Sequence, residues 1–315
     1  MKMETVIAGL AGLVPEENIL VNEPMKKHTT FRIGGEAACY VKIESVDQLA
    51  AVRQFLQKES VPMQVLGNGS NLLFSDEGFS GVVLEICDKM NEIRVEGSKM
   101  IVQAGALMSK VARVAYENSF TGFEFAAGIP GTIGGGTVMN AGAYGGELKQ
   151  VISSVKMLDE TGKIVELSNE EMEFGYRTSI VKKKPYIVVE VTLQLRPGKQ
   201  EEILAVMEDL AFRRRDKQPL EYPSAGSTFK RPEGYFAGEL IMKSGLRGYR
   251  VGGAQVSEKH CGFVINIGNA TAEDVLQLME HVKNTVKATF GVELEPEVIV
   301  IKKETLEKEA CQGQG

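Results

Sequence analysis

"GIPGTIGGG", residues 128–136, places five glycines and one proline in nine positions. A glycine inside a regular element costs about 0.5–1 kcal/mol relative to alanine, so neither a helix nor a strand interior is expected here. Something must approach this backbone closely enough to require that side chains be absent. "NAGAYGG" (140–146) prolongs the run of small residues. A second loop, "GNGSN" (67–71), follows a strand-like segment ending near Leu66. Successive amides in αR-αL conformations form a concave nest for anions. Gly67 and Gly69 take positive φ freely, and Ser70 and Asn71 add side-chain donors; Gly131, Thr132, Ile133 and Gly134 offer a similar loop. Two such loops suit one diphosphate gripped from both sides, with bare backbone against a large planar ligand. The alternative is two tight turns that let chain segments pack closely.

Neither loop is a familiar nucleotide motif. No G-x-x-x-x-G-K-[ST] occurs, so no lysine and hydroxyl are set to reach phosphate and magnesium. "GNGSNL" has Leu72 where a dinucleotide fingerprint needs its third glycine, and "GIPGTIGGG" is spaced G-x-x-G-x-x-G-G-G.

The 315 residues suggest two or three domains. A net charge of −6 argues against a nucleic-acid surface. No apolar run approaches the ~18 residues a membrane span needs. The start, "MKMETVIAGLAGLVPEE", reads as an amphipathic helix rather than a signal peptide. Cys39, Cys87, Cys261 and Cys311, like His28, His260 and His281, lack metal-ligand spacing. No metal site is expected, and the cysteines are expected reduced.

Periodicity predicts a helix over 46–58, a strand ending near Leu66, and strands in "GVVLEIC" (81–87) and "MIVQAGAL" (100–107). "MSKVARVAYENSF" (108–120) predicts a helix with Ser109 as N-cap, followed directly by the glycine-rich stretch. "VISSVKMLDETGKIVELS" (151–168) predicts a hairpin turning at 159–162, and "YIVVEVTLQL" (186–195) a strand. Past a boundary near Pro197, residues 199–219 predict one amphipathic helix with acids first and arginines last. Residues 234–245 predict a short helix and 261–267 a strand. Thr271 and Asp274 open a long helix that Gly291 stops, and "PEVIVI" (296–301) is the final strand.

Six segments then stand in order: "HTTFRIGG" (28–35), "LGNGSNLL" (66–73), "GIPGTIGGGTVMNAGAYGG" (128–146), "YRTS" (176–179), "AGSTFKRP" (225–232) and "LEPEV" (294–298). Each alone is weak; together, over about residues 15–302, they resemble the UDP-N-acetylenolpyruvoylglucosamine reductases, the MurB-type flavoenzymes of bacterial cell-wall synthesis. The resemblance implies an α+β fold: a two-lobed FAD-binding region of the vanillyl-alcohol-oxidase (PCMH) type plus a C-terminal α+β substrate-binding domain. The expected divisions are 1–88, 89–198 and 199–303, with a polar tail at 304–315. NADPH would reduce the FAD, which would reduce the enolpyruvyl ether of UDP-N-acetylglucosamine enolpyruvate to the lactyl ether of UDP-N-acetylmuramate. NADPH would use the substrate cleft in turn. Only 19 residues, 180–198, separate "YRTS" from the next helix. That is too short for the inserted substrate-covering tyrosine of one subfamily, so this is similar to the type II form, and Tyr176 and Tyr186 read as packing residues.

The same resemblance implies FAD contacts at Gly67, Asn68, Gly69, Ser70, Asn71, Leu72, Gly128, Ile129, Pro130, Gly131, Thr132, Gly134, Gly135, Asn140 and Gly142. Hydride delivery to an enolpyruvyl carbon leaves negative charge on its neighbour, which needs a cation or donors and then a proton. By its chemistry Arg177 is a carboxylate-gripping guanidinium or a surface ion pair. Glu297 is a desolvated carboxyl at a strand mouth or a rim glutamate. Ser227 is a presented hydroxyl or a turn serine. The resemblance assigns Ser227 as proton donor and Arg177 and Glu297 as stabilisers of the enol. It points Lys217, Lys230 and Arg214 at the UDP diphosphate, while the run 213–215 also answers its helix dipole. A cytoplasmic, monomeric enzyme is expected, with UDP-sugar and NADPH as small-molecule partners and neither membrane nor nucleic acid. An FAD-dependent alcohol or hydroxy-acid oxidoreductase on the same fold explains the glycine loops equally well, but gives no reason for "AGSTFKRP" or "LEPEV". A flavin-free nucleotide-binding regulatory module is the third reading.

Overall fold

The computed structural model describes residues 2–303; the tail expected over 304–315, with Cys311, lies outside the described residues. The first segment holds α1 (Met3–Leu10), β1 (Ile19–Pro24), β2 (Glu36–Lys42), α2 (Val46–Lys58), β3 (Met63–Leu66), β4 (Leu72–Phe74) and β5 (Phe79–Glu85). The second holds β6 (Ile93–Glu96), β7 (Lys99–Gln103), α3 (Met108–Glu117), β8 (Phe120–Thr121), α4 (Ile133–Val138), β9 (Gly142–Ala143), β10 (Gly146–Glu147), β11 (Ile152–Leu158), β12 (Ile164–Ser168), β13 (Ile187–Gln194) and β14 (Arg196–Pro197). The third holds α5 (Gln200–Lys217), α6 (Ala237–Lys243), β15 (Arg250–Val251), β16 (Ala254–Val256), β17 (Val264–Asn266), α7 (Ala272–Phe290) and β18 (Ile299–Ile301).

The first sheet has order β1-β2-β5-β3, with β5 parallel to both β2 and β3. The second is antiparallel, order β12-β11-β13-β7-β6. The hairpin β11–β12 forms as its alternation predicts, turning through Gly162 at φ +81°. One apolar core runs under both sheets. Arg53 of α2 is fully buried across the seam, donating to the carbonyls of Leu158 (3.1 Å) and Pro185 (2.5 Å). Leu158 closes β11, so a guanidinium fork ties the first segment to the second.

The third segment packs a core under α7 that takes in Phe31, Ile33 and Leu73 of the first, and α7 opens with the expected capping box of Thr271 and Asp274 and stops at Gly291, φ +69°. Its last strand leaves that unit: β18 pairs in parallel with β4, Ile299 opposite Leu72.

Three local expectations are corrected. Ser109 caps nothing: α3 begins at Met108, whose N–H donates to Gly131 O, so the glycine-rich segment closes the helix start. That segment does not follow α3 directly, since β8 and a 3-10 turn (Glu124–Ala126) intervene, and its second half is the helix α4, with Gly134, Gly135 and Gly136 inside it. A Cβ on Gly134 would lie 2.7 Å from Ala104 Cβ and 2.9 Å from Ala104 O, so closeness to β7 outweighs helix propensity. Finally, α5 carries the expected charge order but buries only Ile203; Leu204, Val206 and Phe212 stay exposed, because the helix packs by one side along an open cleft.

Candidate active site

The two glycine-bearing loops meet. Asn68 Nδ2 donates to Pro130 O. A Cβ on Gly67 would lie 2.5 Å from Thr132 Oγ1, and one on Gly131 3.4 Å from Ser70 Oγ. Gly69 sits at φ +61° with His28 O where a Cβ would be, so a side chain there is excluded twice over. Among the described residues, the backbone N–H groups of Asn68, Gly69, Ser70 and Asn71 donate to no protein acceptor. Unpaired amides on a positive-φ turn form an anion nest.

The second loop pairs its amides differently. The amides of Ile133 and Gly134 donate to Ala106 O (2.8 Å) and Ala104 O (2.9 Å), and Gly135 N–H donates to Thr132 Oγ1 (3.2 Å). These amides at the start of α4 are paired with the segment after β7 and with the Thr132 hydroxyl. Asn140 is fully buried; its side chain donates to Glu147 Oε2 (2.8 Å) and Gly175 O (3.0 Å) and accepts from Lys149 N–H (2.9 Å). Leu72 is buried in β4 among the apolar residues beneath the loop.

Ser70, Asn71, Ile129, Pro130, Gly131, Gly135 and Gly142 line a cleft of about 340 Å³ together with Arg177, Ser227 and Glu297. It runs into a larger cleft of about 850 Å³ through shared residues Pro130, Tyr144, Arg214, Gln218, Gly226 and Phe263. Gly128 lies in the larger one under Arg214, whose Nη1 stands 2.4 Å from where a Cβ would be. Gly67 and Asn68 line a third hollow of about 280 Å³ at the far end of their loop. The result is an elongated trough with bare backbone along one wall and free amides in it.

Arg177, Ser227 and Glu297 come from three distant segments and face one another. Arg177 Nε donates to Glu297 Oε1 at 2.6 Å, and Nη2 to Gly142 O at 3.2 Å. The pair is largely enclosed, with side chains 20% and 12% exposed. Arg177 occupies the left-handed region at φ +55°, sparsely used by residues other than glycine and found where geometry is over-determined by function. Burial pushes the Glu297 carboxyl above its ordinary value, and the opposing pull of Arg177 does not cancel it. The backbone around Glu297 is stitched twice: its N–H donates to Thr228 O (2.8 Å), and its carbonyl accepts from Asn71 Nδ2 (3.0 Å). Thr228 N–H donates in turn to Gly262 O (2.9 Å), which fixes Ser227 beside the 260–264 segment.

Beyond Ser227 opens another cleft, of about 430 Å³, sharing Arg177, Ser227, His260 and Glu297 with the first. Its walls add Tyr176, Arg231, Phe236, Arg247 and Lys259. The three expected diphosphate ligands do not gather there. Lys217 and Arg214 line the glycine side, because the last turn of α5 faces that trough. Burial lowers the pKa of Arg214. Lys230 sits at the rim, paired with Glu295 Oε2 at 3.0 Å. Tyr176 is not a packing residue: half exposed, its OH accepts from Arg231 N–H (3.0 Å) and its ring lies under the Arg177 guanidinium. Lys259 and His260 escaped the sequence reading, since "SEKHCG" (257–262) has no spacing that signals a site, and so did Arg247, a lone arginine in "GLRGY".

The family model described as UDP-N-acetylenolpyruvoylglucosamine reductase, C-terminal domain, matches residues 218–301, and the one described as FAD binding domain matches 37–168. The UDP-N-acetylenolpyruvoylglucosamine reductase of Clostridioides difficile is 50% identical over 301 residues, spanning 96% of this chain and 99% of that one. The chain belongs to the UDP-N-acetylenolpyruvoylglucosamine reductase family. The reductase of Lachnoclostridium phytofermentans is 53% identical over 300 residues, covering 94% and 97% of the two chains. The crystal structure of the reductase (MurB) from Thermus caldophilus superposes with a TM-score of 0.77 at 34% identity, over 90% of this chain and 97% of that one. As a member of the UDP-N-acetylenolpyruvoylglucosamine reductase family this is a flavin-dependent oxidoreductase with FAD as cofactor. The expected α+β fold stands: an FAD-binding region with a reductase C-terminal domain. The trough fits that cofactor, its free amides suiting a diphosphate and its bare glycines a flat ring. The alcohol-oxidising and flavin-free readings lapse with the family. No helix among the described residues is long and apolar enough to cross a membrane.

Proposed function

We propose that the chain reduces UDP-N-acetylglucosamine enolpyruvate to UDP-N-acetylmuramate, in peptidoglycan precursor synthesis, at the neck where Arg177, Ser227 and Glu297 face each other. The observation that carries this is the sharing of those residues by two clefts, one walled by the glycine loops and one by cations. Bound in the first, FAD would supply hydride chemistry fed by NADPH. Ser70, Asn71, Pro130, Gly131, Gly135 and Gly142 are the residues that would hold it. Negative charge then develops on the adjacent carbon and its carboxylate. Arg177, held by Glu297 and Gly142 O, presents fixed positive charge to it. Glu297, its carboxyl pushed above its ordinary value by burial, holds the Arg177 guanidinium in place beside the enol. Ser227 Oγ gives its proton to the carbon: the O–H bond breaks, a C–H bond forms and the charge moves to Oγ. Lys217, Lys230 and Arg214 supply counter-charge for the UDP diphosphate.

The divisions 1–88, 89–198 and 199–303, a monomeric state and a cytoplasmic location belong to the same proposal; size-exclusion chromatography with light scattering tests the monomer. Ser227→Ala tests the chemistry. NADPH should still bleach the flavin absorbance, while turnover of the enolpyruvyl sugar falls about 10²–10⁴-fold, the usual contribution of a positioned acid. Undiminished turnover would sink the role of Ser227.

A further inference from the structure

The neck holds one more side chain that the reaction above leaves without a task. His260 lines both clefts together with Arg177, Ser227 and Glu297. Its ring is fixed on one side: Gly262 N–H donates to Nδ1 at 3.1 Å. An imidazole that accepts at Nδ1 carries its single proton on Nε2. Among the described residues Nε2 has no hydrogen-bond partner and is not sealed from solvent, and His260 lines both clefts. Gly262 does two things at once. Its N–H holds the imidazole, and its carbonyl accepts from Thr228 N–H, next to Ser227. Thr228 O in turn receives Glu297 N–H. A single backbone junction therefore sets His260, Ser227 and Glu297 relative to one another. Gly262 must be glycine for the ring to sit there, because a Cβ would lie 2.9 Å from His260 Cε1. The ring edge rests on Phe263, and burial, aided by the Lys217 ammonium, keeps the imidazole below its usual range and hence neutral at pH 7.

We infer that His260 is a positioning residue that acts through Ser227, its Nε2–H donating to the serine oxygen as the proton leaves. The reading rests on Ser227 as the acid. Proton transfer to carbon leaves negative charge on Oγ, and a serine alkoxide is too basic to form without a partner. The two side chains share both clefts without a hydrogen bond between them in this structure, and a neutral N–H brought to the oxygen as the proton leaves lowers that cost while leaving the substrate's own charge untouched. Lys217, on the same cleft, adds long-range positive charge; the imidazole adds direction. No proton moves from the ring, which would otherwise become an anion. The serine regains its proton from solvent after product release.

Three variants of the flavin-loaded enzyme test this, each first checked for unchanged flavin absorbance. His260→Ala should slow reoxidation of the reduced flavin by the enolpyruvyl sugar about 10–100-fold, while flavin reduction by NADPH changes less than about threefold. Its solvent deuterium isotope effect on reoxidation should rise, because proton transfer from Ser227 becomes limiting. His260→Gln, whose amide N–H reaches about as far as Nε2–H, should recover most of the lost rate. Gly262→Ala keeps the imidazole but displaces it, and should resemble His260→Ala in both rate and isotope effect. The inference is overturned if His260→Ala reoxidises at the native rate, if its isotope effect is unchanged, or if His260→Gln is as slow as His260→Ala. Loss in Ser227→Ala with none in His260→Ala would leave the proposed reaction standing and remove only the histidine.

Discussion

Arg177 and Glu297 form an ion pair whose carboxyl is nonetheless pushed above its ordinary value, because enclosure costs the carboxylate more than the guanidinium returns. A carboxyl whose pKa is raised on folding holds more protons in the native than in the unfolded chain, so it subtracts stability as pH rises from its ordinary 4.5 through the folded value. Glu297→Gln removes that dependence. The melting temperature of Glu297→Gln minus that of the native protein should therefore become more positive as pH is raised from about 4.5 toward neutrality, and calorimetry at a series of pH values checks it; a flat or falling difference contradicts a raised carboxyl. None of this was visible in "LEPEV" read by its chemistry, where a rim glutamate was as good a reading. The residue was found by resemblance, and its enclosure depends on Arg177, 120 positions away. Asn140 shows the converse. It stands within the glycine-rich motif, yet its amide is spent on Glu147, Gly175 and Lys149, since neighbourhood in sequence does not say which way a side chain turns.

At the level of elements, α4 is where composition misled. Three consecutive glycines read as loop, but Thr132 caps a single helical segment pressed between β7 and α3. The glycines answer packing, not only a ligand, and they are not equivalent. Gly134→Ala drives a Cβ into Ala104 backbone, whereas Gly136→Ala meets Met108 Sδ and Leu148 Cδ1, both at 3.0 Å, which can swing aside. Gly134→Ala should cost about 1–3 kcal/mol, the range for overpacking, and Gly136→Ala clearly less, both by urea denaturation of the flavin-free protein. Equal losses would mean that α4 simply moves as a body. By contrast the hairpin β11–β12, the capping box of α7 and the span of α2 were all legible, because each rests on local signals: alternation, a Thr-to-Asp spacing, helical periodicity. The open face of α5 was not, since an apolar helical stripe looks the same whether it meets a core or borders a cleft.

For the whole molecule, two long-range ties matter. Arg53 spans the seam between the first two segments, and Arg53→Ala leaves the carbonyls of Leu158 and Pro185 without it and opens a cavity. A loss of about 2–4 kcal/mol is expected by chemical denaturation. The same variant should release FAD faster in dialysis, because the trough is built from loops on both sides of that seam. Undisturbed retention with full stability would show the seam to be held by its apolar core alone. Arginine in an amphipathic helix gives no warning of such a role; its neutral face and its buried face are indistinguishable until the second segment is placed. The other tie is β18 on β4, beside the Asn71–Glu297 contact. During synthesis β4 emerges roughly 225 residues before its partner, a wait of about 10–45 s at ordinary ribosome speeds. Until then Glu297 does not exist and the loop at 67–71 stands on an unfinished edge. Both glycine loops are thus synthesised long before the last strand, which alone brings Glu297 to Asn71 and Arg177.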